Sequence, residues 1–211
     1  MPRSLPALLS AVRGVVLDVG PGSGEQLHLF SRPENIEAVY GVEPGVDLHG
    51  KLMANAVKVG LGGKYHVLGA TADLESMLPA MIKDGLIKEE RTSADELQLF
   101  DDVVCVRVLC GVPDQAATAA DLYALLKPGG RLFLCEHVLN ERNGVARLAQ
   151  WVYMKMGWSY LMGGCELMRN TVETLSRVAA EKDGGWESVD VHEVDGYGPL
   201  VHIVGVLVKK K

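Results

Sequence analysis

Asp18-Val19-Gly20-Pro21-Gly22-Ser23-Gly24 sets an acid just ahead of three glycines at alternate positions. Glycine reaches positive φ without strain and lets the backbone approach a ligand closely. Such a turn, after a strand and before a helix, suits a nucleotide or nucleoside. Its spacing is not the G-x-G-x-x-G of dinucleotide enzymes, because Glu25 stands beside the place where that turn wants its last small residue. No G-K-[ST] follows, which excludes a triphosphate P-loop. A second acid, Glu43 in "VYGVEP", closes the next apolar run and stands where a carboxylate accepts both ribose hydroxyls.

These residues need strands to hold them, and the sequence supplies short, continuously apolar runs. Strands are expected at 14–19, 36–42, 64–69, 102–108 and 131–137, unalternating as in parallel strands buried on both faces. Helical patterns separate them. One, over 47–60, puts Leu48, Leu52, Ala56 and Val59 on one face and stops at Gly60; another, over 113–130, starts at Pro113 and ends in Pro-Gly-Gly. A helix is also expected to open near Gly24, and another to span roughly 170–182. Two last strands, 186–194 and 199–210, are joined by a short turn and should be antiparallel. Residues 84–99, polar and charged, read as an exposed loop. The result is an α/β chain with a doubly wound seven-stranded sheet, mostly parallel with an antiparallel last strand.

Composition narrows the function classes. At 211 residues the chain is expected to be one domain. A formal net charge of −6 and the absence of a basic patch argue against nucleic acid; the terminal Lys209, Lys210 and Lys211 read as a frayed end. The four cysteines, Cys105, Cys110, Cys135 and Cys165, form no C-x-x-C pair, so no metal site is expected; Cys105 and Cys135 fall in strands as small core residues. Reduced thiols and the lack of a signal peptide point to the cytoplasm. No apolar run reaches the ~18 residues of a membrane span.

The D-x-G-x-G-x-G turn after strand one resembles motif I of class I S-adenosylmethionine-dependent methyltransferases, whose fold is Rossmann-like. "FDDVVCVRVLCGVPDQ" resembles their motif IV, and "LLKPGGRLFLCEHV" the strand after it. "VLCGV", "KPGGRLFLCEHV", "WSYLMGGCELMRNT" and "HIVG" further resemble the methyltransferase-like subgroup of alkyl-thiol methyltransferases. The resemblance implies S-adenosyl-L-methionine as cofactor, with Asp18 at its cationic methionine end, room left by Gly20, Gly22 and Gly24, and Glu43 on the ribose. Ala70 and Ala72 fill the usual adenine-acid positions, leaving Asp73 or a backbone carbonyl for that role. Arg107, at the end of the fourth strand, belongs to the same crevice. Relatives carry a segment ahead of motif I that often acts as a lid, whereas 13 residues stand there in this chain. The expected consequence is an open site, one completed by a second copy of the chain, or a truncated product.

The implied function is methyl transfer to a small apolar acceptor, a thiol slightly preferred over a hydroxyl or carboxyl. The alternative is a cofactor-binding protein that no longer methylates and serves as a scaffold or rearrangement catalyst. Methyl transfer is an in-line displacement in which alignment supplies much of the acceleration. A thiol with pKa near 8.5 is already partly ionised at neutral pH, while a phenol or alcohol needs a base. His137 is the first candidate for base or positioning group and His202 the second; the alternative for His137 is a strand-end histidine bonded to backbone. Cys110 and Cys165 are expected to be packing residues. The aromatic and methionine cluster of 151–162 falls where this class builds its acceptor pocket, and Arg169 either caps that segment or recognises a carboxylate.

Overall fold

The computed structural model describes residues 2–88 and 97–211. The strands are β1 (Gly14–Val19), β2 (Ile36–Val42), β3 (Tyr65–Leu68), β4 (Phe100–Val106), β5 (Leu126–His137), β6 (Trp186–Val194) and β7 (His202–Lys209). They form one sheet in the order β3-β2-β1-β4-β5-β7-β6. Neighbours from β3 through β5 pair in parallel, and β7 runs against both β5 and β6. The strand order therefore reverses between β1 and β4, the switch point outside which α/β sheets bind ligands.

Both sheet faces are apolar because alternate residues of the same strands serve opposite cores. Val103 and Cys105 of β4 join one core with Met77, Leu122 and Leu175. Val104 and Val106 join the other with Leu5, Leu27 and Leu52. Fully burying each such side chain contributes ~1.5–3 kcal/mol, which explains the absence of alternation in the inner strands. The first face is covered by α3 (Leu74–Asp84), α4 (Gln115–Leu125) and α7 (Thr171–Asp183), and the second by α1 (Leu5–Leu9) and α2 (Val46–Lys58). Two further helices, α5 (Gly144–Lys155) and α6 (Trp158–Leu161), lie beyond β5.

Several boundaries differ from the sequence reading. β4 stops at Val106 because Arg107 takes a left-handed backbone, φ 60°. No α-helix opens at Gly24; a 3-10 helix spans Glu25–Leu29, since Leu27, Leu29 and Phe30 are buried in close succession and Pro33 lies just ahead. The stretch 84–99 is no simple exposed loop: α3 reaches into it, and Ile87 and Leu97 are buried. Residues 89–96 of that expected loop lie outside the described residues. Nor is Lys209 part of a frayed end. It closes β7, and its buried ammonium donates to the carbonyls of Tyr123 (2.8 Å) and Leu126 (2.9 Å) over the Tyr123 ring. Cys105 and Cys135 are buried strand residues as expected. Among the described residues, no helix is long and apolar enough to cross a membrane.

The end of the sheet away from the switch-point crevice is tied by Asp102. Its buried carboxylate accepts from Arg131 Nε (2.8 Å) and Nη2 (2.6 Å) on β5 and from the Arg13 amide (2.7 Å) just before β1. Removing one partner of a buried ion pair leaves an uncompensated charge. Arg131→Met is therefore expected to lower unfolding free energy by about 3 kcal/mol in urea titrations; a loss under about 0.5 kcal/mol, ordinary for a surface position, would show the pair to be solvated.

Candidate active site

At the carboxyl ends of β1 and β2, the glycine turn is held from both sides. The Gly20 amide donates to the Val42 carbonyl (2.9 Å). Gly20 has φ 61°, and a Cβ there would lie 2.7 Å from the Val108 side chain, so conformation and space both require glycine. Glu43 bridges the two loops: Oε2 accepts from the Gly22 amide (2.9 Å) and Oε1 from the Gly45 amide (2.8 Å) ahead of α2. The carboxylate is 7% exposed. Gly22, by contrast, has open space where a Cβ would stand.

Asp18 lies beneath this turn, 1% exposed, and accepts from the Tyr65 hydroxyl (2.9 Å). Tyr65 stands on β3 with β2 between it and Asp18. Its ring crosses Gly41, where a Cβ would collide with the phenol. Burial raises the Asp18 carboxyl to about 7, opposed by the hydrogen bond from Tyr65. Asp73 caps α3, accepting from the Ser76 amide (2.9 Å) and from the Thr71 hydroxyl, and these bonds hold its carboxyl below the usual range.

Across the switch point, Glu136 organises the loop after β4. It is fully buried and accepts from the amides of Val108 (2.9 Å), Leu109 (3.0 Å) and Cys110 (3.0 Å). Burial raises its pKa and the three amides oppose that rise. Arg169 donates to the Leu109 carbonyl (2.8 Å), so it caps this loop. Beside it, His137 and His202 are register partners on β5 and β7, with ring centroids 4.2 Å apart. Burial, and next the facing His137, press His202 down to about 4, and its buried Nδ1 has no hydrogen-bond partner. Cys165 Sγ lies 3.5 Å from His137 Nδ1. The Cys110 thiol, followed by His137 and Trp158, holds Cys165 well below the usual thiol range, while Cys110 is driven up.

Two clefts open on this geometry. One, of about 570 Å³, is lined by Gly20, Glu43, Asp73, Arg107 and Val108 among others. The second, of about 350 Å³, is lined by Gly20, Gly22, Arg107, Cys110, His137, Met162 and Cys165 among others. Gly20 and Arg107 are common to both, and both volumes suit small molecules. Of the residues singled out in the sequence, Gly20, Gly22, Glu43, Asp73, Arg107 and His137 come together at these clefts. Asp18 and His202 stand behind them; Gly24, at φ 75°, packs on Leu52 instead. The aromatic cluster is mostly outside: Trp151 is 48% and Tyr160 89% exposed, and Met162 reaches the second cleft. Sequence reading missed Tyr65, whose reach across Gly41 depends on register. It also missed the meeting of Cys110, His137 and Cys165, which come from separate elements with no local spacing motif.

A sheet of this order, with one reversed strand and a glycine turn at its switch point, defines the Rossmann-like fold of class I methyltransferases. Over residues 2–175 the chain matches the methyltransferase domain family, and it belongs to that family. It is similar to thiol S-methyltransferase TMT1B of Rattus norvegicus, 36% identical over 78 residues, covering 37% of this chain and 32% of that enzyme. It is also similar to TMT1B of Mus musculus, 34% identical over 111 residues, covering 52% and 44% respectively. The chain thus spans less than half the length of these relatives. Solved structures of the same fold include the [4+2]-cyclase SpnF (TM-score 0.62, 17% identity, 98% of this chain and 80% of that one). Another is the N-methyltransferase NodS from Bradyrhizobium japonicum (TM-score 0.61, 11% identity, 99% and 93%). Family and fold together make S-adenosylmethionine the cofactor, and the residues fit it: the first cleft bears Gly20, Glu43 and Asp73, with Glu43 also holding the Gly22 amide of the glycine turn.

The buried Asp18 gives the protein a pH signature. Its folded pKa, about 7, lies above the free value of 3.8, so folding takes up a proton. The stabilisation is full below the free value and is lost as pH rises through about 7. The urea midpoint should fall between about pH 4 and pH 7, and the fall should be shallower in Asp18→Asn. Equal slopes in the two proteins would mean that Asp18 titrates normally.

Proposed function

We propose that this chain transfers a methyl group from S-adenosylmethionine to a small apolar acceptor, a thiol in preference to a hydroxyl or carboxyl. One observation carries the reading: two small-molecule clefts meet over the glycine turn and share Gly20 and Arg107. A donor in the first and an acceptor in the second meet at that shared wall, as an in-line displacement requires. In this assignment Glu43 accepts from the ribose hydroxyls and Asp73 meets the adenine end. Gly20, Gly22 and Gly24 shape the turn, and Asp18, with Tyr65, braces it from below rather than touching the ligand. Arg107 lies between the two ligands.

The cofactor supplies a sulfonium-activated methyl group; the chain's task is to align an acceptor lone pair with it. His137 is the polar group that meets the acceptor, and His202, neutral at physiological pH, backs its ring. Met162 in the cleft supports an apolar acceptor. The relatives' name, thiol S-methyltransferase, supports sulfur. A net charge of −6 and four unpaired cysteines fit a cytoplasmic enzyme of small molecules better than one acting on nucleic acid. A second reading is a cofactor-binding protein that does not methylate, holding the cofactor in the same first cleft.

Calorimetric titration with S-adenosylmethionine and with its demethylated product tests the proposal. Binding is expected near micromolar Kd, weakened roughly tenfold or more in Glu43→Gln by loss of charge-assisted hydrogen bonds. Methyl transfer to short alkyl thiols should then exceed transfer to phenols and carboxylates. Tight binding with no transfer to any of the three classes would favour the second reading, and no binding would sink both.

A further inference from the structure

Cys110, His137 and Cys165 offer three ligand atoms that all lie within 4.8 Å of one another. A tetrahedral zinc ion, with bonds of ~2.3 Å to sulfur and ~2.0–2.1 Å to nitrogen, holds such atoms roughly 3.5–4 Å apart. The Cys165 Sγ to His137 Nδ1 distance is 3.5 Å. We propose that these three residues form a zinc site whose fourth position opens into the second cleft and takes the acceptor thiol.

The scaffold around the trio is built independently of any metal. The Cys110 amide is fixed on Glu136, and the Cys110 carbonyl accepts from the Glu166 amide (2.8 Å), locking the two cysteine-bearing loops together. His137 ends β5 and is braced by the His202 ring. Leu167, Met154 and Trp158 pack against the cysteines and form an apolar shell, the surroundings that orient ligands and limit water at metal centres. Two thiolates and an imidazole are a borderline-soft set suited to zinc over magnesium or calcium. Three protein ligands with an open fourth position mark a catalytic rather than a closed structural site. All three residues line the cleft that also bears Gly20 and Gly22, so the open position faces the proposed methyl donor.

The ion would replace a general base. Both cysteines ligate as thiolates, any remaining thiol proton passing to solvent when the metal binds, and the acceptor thiol likewise loses its own to solvent on coordination. The thiolate sulfur then forms the new S–CH3 bond with its lone pair. As it forms, the methyl–sulfonium bond breaks, its electrons returning to the leaving sulfur. The neutral thioether product is a poor ligand and departs; nothing is oxidised or reduced. The identity of the acceptor rests on the methyltransferase reading, but metal binding does not.

The full chain, freed of metal by a chelator, is titrated with cobalt(II) and followed by absorption. The expected result is one equivalent per chain, with thiolate-to-cobalt charge transfer in the near ultraviolet and tetrahedral bands in the visible. Both signals should be lost in Cys165→Ser and Cys110→Ser, weakened about tenfold or more in affinity in His137→Asn, and kept in Cys135→Ala, with circular dichroism reporting the fold of each variant. A short alkyl thiol should intensify the charge-transfer band with no methyl donor present. Cobalt bound without charge transfer, or bound equally by the Cys110→Ser/Cys165→Ser pair, would overturn the site. Full-rate thiol methylation by chelator-treated protein would overturn its role while leaving the methyltransferase reading intact. A cobalt signal with no thiol methylated would do the reverse.

Discussion

A carboxylate placed wholly inside a protein must find donors, and Glu136 finds three consecutive backbone amides. That requirement shapes the ligand-binding edge more than any other contact. To aim the amides of Val108, Leu109 and Cys110 at one side chain, the chain turns sharply at Arg107, whose left-handed φ ends β4. A non-glycine residue costs of order 1–3 kcal/mol in that conformation, and charge-assisted hydrogen bonds of ~1.5–3 kcal/mol each offset it. The same turn lays Val108 against Gly20, sets Arg107 between the two clefts and brings the Cys110 sulfur toward His137.

The acids at the ends of the first two strands follow a similar logic. Asp18 and Glu43 both sit where a ligand-binding carboxylate belongs, yet both are partnered within the protein: one by a phenol reaching over Gly41, the other by two loop amides. Their first effect is to fix the glycine turn in place. Glu43 stands at the wall of the first cleft. Asp18 is sealed below it, 1% exposed and bonded to Tyr65.

Much of this was legible in the sequence. The inner strands announced themselves as unbroken apolar runs, and the D-x-G-x-G-x-G turn and Glu43 pointed to residues that line the two clefts. The short link before the last strand foretold its reversal. What escaped were features made by register and tertiary contact. Lys209 looked like a loose cationic end because no sequence pattern reveals that two carbonyls await it between α4 and β5. Arg107 read as strand because its residue type does not betray a left-handed backbone. No local spacing motif links Cys110, His137 and Cys165, which converge from a loop, a strand end and the segment after α6.

The sheet order has a consequence for how the chain is made. β7 lies between β5 and β6, so it follows both from the ribosome and must be inserted between two strands already made. Until it arrives, β5 presents a naked, largely apolar edge, and β6, already synthesised, has no strand to pair with. Unpaired edges of this kind invite association between nascent chains. Insertion of β7 closes that window and, in the same movement, delivers His202 to His137. Vectorial synthesis thus holds back the pairing of His137 with His202 until β7 is in place, while the glycine turn, far earlier in the chain, has long since left the exit tunnel.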